Sequence, residues 1–390
     1  RHARSDLSGR RAPRAMKARG VHLEYRFAAD GQRGADLAHP LFDLLAAVHA
    51  NGSIQHAARA LGASYRHVWG ALRRWEDELG EPLVVWAQGQ PARLTPFADR
   101  LLWAERRARV RMAPHIEALR AELQRVLADA LDGSQQVATI HASHDLALPL
   151  LREHAAPQGL HLELRFAGSM DALRALAEGR CTVAGFHVPP LEDARNVFAR
   201  ALKPLLVPGR HKLIGFARRS HGLMISPGLD PAPASLAELR GRPDLRFVPR
   251  QPGSGTRLLT EHLMARQGLT AADLPGFDST PEDSHLAVAA AVADAAACGQ
   301  PAAGLGVRAA AERFGLRFVP LVDEHYFLVC LADVLDHPAV QRLRELLAAP
   351  EWAARLAALP GYAPERSGQV LSLTQALPWW HFRRPRAAGR

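Results

Sequence analysis

Residues 52–80 read GSIQHAARALGASYRHVWGALRRWEDELG. Ser53 stands where a helix N-cap is wanted; IQHAARALG follows with small apolar residues at helical spacing, and Gly62 stops it. Ser64 then opens YRHVWGALRRWEDELG, which ends at Gly80. Two short helices joined by a tight glycine-containing turn are a helix-turn-helix signature. Ala57, Ala58 and Leu61 are expected to pack on Val68 and Leu72. The second helix of such a pair enters the major groove and meets base edges with its N-terminal residues. The predicted contact set is therefore Ser53, Ser64, Tyr65, Arg66 and His67, with Trp69, Arg73 and Arg74 farther along. Arginine pairs bidentately with guanine, and hydroxyls and basic groups hold phosphates. A plain amphipathic helix pair with a solvated basic face would carry similar charges, and Glu76-Asp77-Glu78 is read simply as a solvated face. Caps, turn and small-residue spacing together favour DNA.

Working outward, His39–Asn51 is predicted as a helix whose buried stripe is Leu41, Phe42, Leu44, Leu45 and Val48, and Val21–Ala28 alternates like a short strand. On the other side, PLVVWAQGQPARLTP reads as two strand pieces around Gly89-Gln90-Pro91, a β-wing with Arg93 at its return. From Pro96 to Leu131, apolar residues recur every three or four positions: Leu101, Leu102, Ala108, Val110, Ile116, Leu119, Leu123, Val126 and Leu127. A stripe this long on a small domain usually meets a partner. Pro114 is expected to break or kink it.

The 390 residues suffice for two or three domains. With 23% charged and 48% hydrophobic residues the composition is globular, and the net charge of +10 favours an acidic partner, nucleic acid before an anionic membrane surface. Cys181, Cys298 and Cys330 form neither a disulfide framework nor a zinc spacing, which suits a reducing cytoplasm. No apolar run reaches the ~18 residues a membrane span needs. Residues 1–20 carry seven Arg/Lys without an apolar core, so they are read as a disordered basic tail, with Met16 a candidate start, rather than a secretory signal.

Beyond a hinge at Asp132-Gly133-Ser134, QVATIHASHDLALPLLREH, LHLELRFAGSMDALRALAEG and CTVAGFHVPP alternate strand and helix, the pattern of a parallel sheet covered by helices. Polar turns fall where strand ends meet helix starts, at Ser143-His144, Gly168-Ser169 and His187; ligands of such sheets collect there. KLIGFARRSHGLMI is expected to cross to a second lobe and LRFVPLVDEHYFLVCL to return, with Tyr326 and Phe327 in the core or hinge. The second lobe holds RQPGSGTR, Arg250–Arg257, read as strand, glycine loop and helix. Gly253 and Gly255 let the backbone approach a ligand, Ser254 and Thr256 bring hydroxyls, and Arg250 and Arg257 bracket an anion at a helix N-terminus. The GxxxxGK[ST] spacing of a P-loop is absent. A glycine turn with a Ser N-cap and surface arginines is the plainer account. EDSHLAVAAAVA adds a helix capped at Ser284 with His285 at its start. A Ser143/His144/Asp145 hydrolase is rejected, because adjacent side chains diverge and no GxSxG elbow exists. Residues 366–390 end in Trp379-Trp380 and a basic tail.

These stretches resemble known families. Residues 21–131 resemble the winged helix-turn-helix of bacterial LysR-type regulators, more closely that of molybdate-responsive regulators, through VHLEYRF, the 52–80 unit, PLV and LTPFADRLL. Residues 136–375 resemble the periplasmic-binding-protein-like effector domains fused to such regulators, related to molybdate and tungstate binders, through ASHDLAL, FAGSMDALRALAEG, AGFH, RFVPRQPGSGTR, SHLAVAAAVA and GLGVRAAAERFGL. The resemblance implies a helical linker that pairs two subunits, and oxyanion donors at Ser143, Ser169, Ser254, Gly255, Thr256 and Ser284. The candidate ligand set from both lines is Ser143, His144, Ser169, His187, Arg250, Gly253, Ser254, Gly255, Thr256, Arg257, Ser284 and His285, with no catalytic and no metal residues. The expected architecture is a multidomain α+β chain: winged helix-turn-helix over 21–95, dimerisation helix over 96–131, two-lobed type II periplasmic-binding-protein-like α/β domain over 132–375, and a tail over 376–390. The expected function is a cytoplasmic, homodimeric or tetrameric transcriptional regulator that binds operator DNA and senses molybdate or tungstate, with no cofactor. Alternatives are an organic anion or a molybdenum-cofactor-related metabolite as effector, or an enzyme or solute carrier.

Overall fold

The computed structural model describes residues 39–86, 91–131, 136–193 and 195–380. The strand at Val21–Ala28, the basic tail, the wing tip at Gly89-Gln90, the hinge at Asp132-Gly133-Ser134 and residues 381–390 lie outside that set. Helix α1 (Pro40–Asn51) is capped by His39, whose Nδ1 accepts from Leu41 N at 3.2 Å. Helices α2 (Ile54–Ala60) and α3 (Tyr65–Leu79) start under Ser53 and Ser64, whose hydroxyls accept from His56 N and His67 N. Gly52, Gly62 and Gly80 take positive φ at the turns, where a Cβ would be strained. Ala57, Ala58, Val68 and Leu72 form the core of this unit, whereas Leu61 is exposed, because α2 has already ended at Ala60. Strands β1 (Val84–Val85) and β2 (Arg93–Leu94) pair antiparallel as the wing.

Helix α4 (Pro96–Leu131) continues for 36 residues across Pro114, so of the break or kink expected there a break does not occur. The ring removes one hydrogen bond, and it is buried against the domain that follows. Trp103 and Val110 share a core with α9 (His285–Ala297), so α4 packs along its own C-terminal domain.

That domain is one nine-stranded mixed sheet, ordered β4-β3-β5-β9-β6-β8-β7 with β10 and β11 added against β6. The first lobe contributes β3 (Gln136–Ala142), α5 (Ala147–Ala155), β4 (Leu160–Phe166), α6 (Ser169–Ala177), β5 (Val183–Val188) and α7 (Val197–Leu202). The second contributes β7 (Arg246–Val248), α8 (Gly255–Arg266), α9, β8 (Ala302–Val307) and α10 (Arg308–Arg313). Strands β6 (His211–Ile225) and β9 (Arg317–Leu331) run antiparallel through both lobes, as the sequence predicts. β5 pairs with the end of β9, and β8 with the end of β6. The pairs β3–β4, β3–β5 and β7–β8 are parallel, so the parallel sheet expected from the strand–helix alternation holds within each lobe and becomes antiparallel where the crossing strands join them.

One core lies under α5, α11 (Pro338–Ala348) and α12 (Pro350–Ala357) and centres on Phe216, Leu328 and Trp352. A second extends from α6 to α8 on the other side. β10 (Tyr362–Pro364), β11 (Val370–Leu371) and α13 (Leu373–Ala376) return the chain onto β6. Residues 376–380, expected to begin the tail, instead belong to this second core: Leu377 and Trp379 are fully buried beside Trp380. The indole is too large an apolar surface to leave in water. Trp379→Ala is expected to lower unfolding free energy by about 3–5 kcal/mol, read as a reduced urea midpoint; an unchanged midpoint would show that the segment does not hold the core.

Candidate functional site

The DNA-reading face predicted from sequence is a continuous surface on α3 and the wing. Tyr65, Arg66, His67, Arg73 and Arg74 are exposed, as is Arg93 on β2. Trp69 is half-buried, stacked by Tyr65 at 6.4 Å and covered by the Arg73 guanidinium at 4.7 Å. Trp86 from the wing meets it edge-on and is itself exposed, which the sequence did not single out. Ser53 and Ser64 spend a lone pair on capping, which orients the first turn of α3 and its free N–H groups outward.

The second site is the cleft between the lobes, where five polar junctions meet. Ser143, His144 and Asp145 precede α5; Gly168 and Ser169 open α6; His187 sits on β5; Arg250–Ser254 lead into α8; Ser284 caps α9 ahead of His285. The lobes are in contact: a Cβ placed on Gly168 would come within 3.1 Å of Gly253 O, and one on Gly255 would lie 3.8 Å from Ser169 Oγ and 3.9 Å from His187 O. Gly253 takes φ +81° in its turn. A cavity of about 190 Å³ opens here, lined by Ser143, His144, Gly168, Arg250, Gln251 and Asp283 on the sensing domain, and by residues of α4.

Arg250 is the best-defined donor. It is 4% exposed, its Nε and Nη2 donate to the Glu282 and Asp283 carbonyls at 3.2 and 2.9 Å, and its Nη1 has no partner among the described residues. Burial, followed by the charge of Arg219, pulls its pKa down to about 10, so it stays charged at neutral pH. An orphaned buried cation beside a cavity calls for an anion. Ser169 Oγ is likewise buried and unpartnered.

Arg257, predicted as the second clamp, is not brought to the cleft. Its Nε bonds Glu261 at 2.8 Å and its guanidinium lies 3.8 Å over the Phe277 ring, because two residues past Gly255 the helix has turned by about 200°. Ser254 is occupied as the α8 cap, accepting from Arg257 N and donating to Gln251 O. Ser284 caps α9 in the same way, accepting from Ala287 N. Thr256 is buried within the first turn of α8.

Below the cavity lies a charged cluster that the sequence did not reveal. Arg219 on β6 bonds Glu324 on β9 at 2.9 Å and Asp145 at 2.5 Å, all three essentially without solvent, and Tyr362 donates to Asp145 at 2.8 Å. Arg219 and Glu324 are cross-strand partners, a relation visible only once the register is known. Burial would raise the Asp145 carboxyl, but His187 and Arg219 outweigh it and hold it well below the usual range. Burial is also opposed at Glu324, which His221 and Arg219 bring to about 2. His187, His221 and His285 surround the triad and Tyr326 stacks on His187 at 3.8 Å. Burial pushes the imidazoles down, His144 and His221 to about 4, so they are neutral at pH 7.

Ser143 Oγ is 3.2 Å from His187 Nδ1, and His187 Nε2 is 3.7 Å from Asp145. The second distance is too long for a hydrogen bond, and Asp145 is committed to Arg219, Tyr362 and Ala147 N; the arrangement positions the Ser143 hydroxyl at the cavity rather than activating it. Among the described residues, no three or more His, Cys, Asp or Glu could hold one metal ion, and no helix is long and apolar enough to cross a membrane.

Because these imidazoles ionise less readily in the folded protein than their unfolded value of ~6.5, the unfolded chain binds more protons below that pH. Stability is therefore complete above about pH 6.5 and declines as pH falls toward 4, while the Glu324 contribution is lost only nearer pH 2. Urea titrations at pH 7.5 and 4.5 are expected to differ by several kcal/mol, roughly 1–3 per buried imidazole. His221→Gln should reduce that difference; an identical pH slope would contradict the assignment.

Comparison with known proteins adds two family matches. Residues 41–99 match bacterial regulatory helix-turn-helix proteins of the lysR family, and residues 151–348 match the PBP superfamily domain. The chain is 28% identical over 231 residues to the uncharacterized protein YvgK of Bacillus subtilis, covering 59% of this chain and 72% of that one. It is 36% identical over 91 residues to the molybdenum-pterin-binding protein MopB of Rhodobacter capsulatus, covering 22% of this chain and 31% of MopB. Among solved structures it is similar to a mutant of Corynebacterium glutamicum OxyR with hydrogen peroxide bound, at a TM-score of 0.40 and 15% identity over 82% of this chain and 94% of that one.

Proposed function

We propose, from the premise that the chain belongs to the PBP superfamily and carries a lysR-family regulatory helix-turn-helix ahead of that domain, that its cleft senses a small oxyanion, molybdate or tungstate first. The coarser statement is direct: this is a ligand-responsive, DNA-binding transcriptional regulator of the lysR type. Such a regulator acts by binding rather than by turnover.

The observation that carries the oxyanion reading is the buried Arg250, a residue of the cavity wall whose Nη1 has no partner among the described residues, with the N-termini of α6 and α8 close by. Helix N-termini and a charge-assisted donor favour negative charge. At about 190 Å³, the cavity is smaller than the ~300 Å³ at the lower end of pockets for drug-sized ligands, which favours an inorganic oxyanion or a small carboxylate over a pterin-sized metabolite. The partial likeness to the molybdenum-pterin-binding protein MopB supports molybdenum as the element, and its name specifies the pterin-bound form. A small carboxylate is the second reading, favoured by the forked geometry of Arg250.

Homodimerisation through α4 is part of the proposal. Met112, Leu119, Val126 and Leu127 are exposed although large and apolar, and 112, 119 and 126 are seven residues apart, the spacing of a coiled-coil seam. A second copy would cover them and set two α3 helices against DNA.

Thermal shift with molybdate, tungstate, sulfate, phosphate, formate and small dicarboxylates tests the effector. A ligand at 100 times its Kd adds ~2.7 kcal/mol, a shift of several degrees. Molybdate or tungstate is expected to act and Arg250→Gln to abolish the shift; a response to dicarboxylates alone would replace the oxyanion by a carboxylate. On the DNA side, Arg66→Ala should cost about 1–3 kcal/mol of affinity for a DNA fragment selected by the protein, and equal binding by both proteins would remove Arg66 from the interface.

A further inference from the structure

The cavity is not built by the sensing domain alone: Pro114, His115 and Ala118 of α4 form its outer wall. On one side of that wall, α4 is tied to the second lobe. Arg111 bonds both Glu282 oxygens at 3.0 and 2.7 Å, and Arg107 reaches Asp294 at 2.7 Å. On the other side, it is tied to the first lobe, where Arg152 bonds Glu117 at 2.7 Å and His161 Nε2 lies 2.9 Å from Ala121 O. The helix that leads to the DNA-binding unit therefore spans the mouth of the cleft from lobe to lobe. Glu282 joins α4 to the cavity wall, since its carboxylate holds Arg111 and its carbonyl holds Arg250.

We propose that the effector site is a composite of the sensing domain and α4, in which Pro114, His115 and Ala118 roof the cleft and limit the size of its occupant, so that effector exchange requires α4 to lift. This rests on the cleft being the effector site. The coupling is then by direct contact: an occupant that favours one position of α4 shifts the DNA-binding unit, and DNA that favours one position of α4 shifts effector affinity equally.

The test reads the roof without needing a ligand. In the full chain, Cys298 is exposed whereas Cys181 and Cys330 are buried. Cys298→Ser with Ala167→Cys thus leaves one reporter thiol on the cavity wall, and its alkylation by iodoacetamide is timed. Adding Arg107→Gln and Arg111→Gln should speed alkylation about tenfold, as expected when a local opening equilibrium is shifted. His115→Ala, which trims the roof and leaves both of those ion pairs in place, should speed it about threefold. If the double variant does not fold, His115→Ala decides alone. Equal rates in parent and variants overturn the roof. The same assay with sodium molybdate separates the two claims. Slower alkylation of the parent, with faster molybdate release from the variants, supports the composite site. Faster alkylation of the variants without any molybdate protection supports the roof and overturns the oxyanion reading of the cavity.

Discussion

The Arg219 guanidinium, shared between Asp145 and Glu324 in the absence of solvent, is the interaction on which the two-lobed domain depends. It fastens the turn before α5 to both long strands that the lobes share. Removing one member of such a group leaves an uncompensated buried charge, which costs more than the intact group contributes. That asymmetry fixes the relative placement of β6, β9 and α5. Burial keeps the neighbouring imidazoles neutral, and Arg250 on the cavity wall keeps an Nη1 with no partner among the described residues. The anion preference inferred for the cleft thus follows from how the domain places its own charges: Arg219 hydrogen-bonds two carboxylates, whereas Arg250 hydrogen-bonds only neutral oxygens.

Helix α4 has three surfaces with three uses. Leu102 and Ala98 join the helix-turn-helix core, Trp103 and Val110 join the core around α9, and Leu119, Val126 and Leu127 face solvent. In the proposed mechanism, a helix of 36 residues with side chains in the cores of both domains would carry a displacement at the cleft to the DNA-binding unit, since packed interfaces respond by shifting rather than deforming. Pro114 does not interrupt the helix, and it lines the cavity.

Local signals were legible wherever one short segment contains both the cause and the effect. Ser53, Ser64, Ser254 and Ser284 each cap the helix that follows within three residues, and the glycines at 52, 62, 80 and 253 sit at positive φ where a turn was expected. The crossing strands were legible too, from their length and apolar content. By contrast, Arg219 and Glu324 read as ordinary charges on alternating strands, and Arg257 as a clamp because it lies seven residues from Arg250.

From sequence alone, then, came the order of the domains, the helix caps, the glycine loop of the second lobe and the exposed residues of α3 that are expected to meet DNA, all set by interactions within a few residues of one another. Only the tertiary structure decided that Arg250 lines the cavity and Arg257 turns to Phe277, that Trp379 belongs to the core, that Arg219 is a shared buried cation, and that α4 lines the cavity too. The physical reason is common to all four: each depends on a strand register or a helix packing angle that joins residues far apart in the chain, and a charged or aromatic side chain carries no local mark of which distant partner will neutralise or cover it.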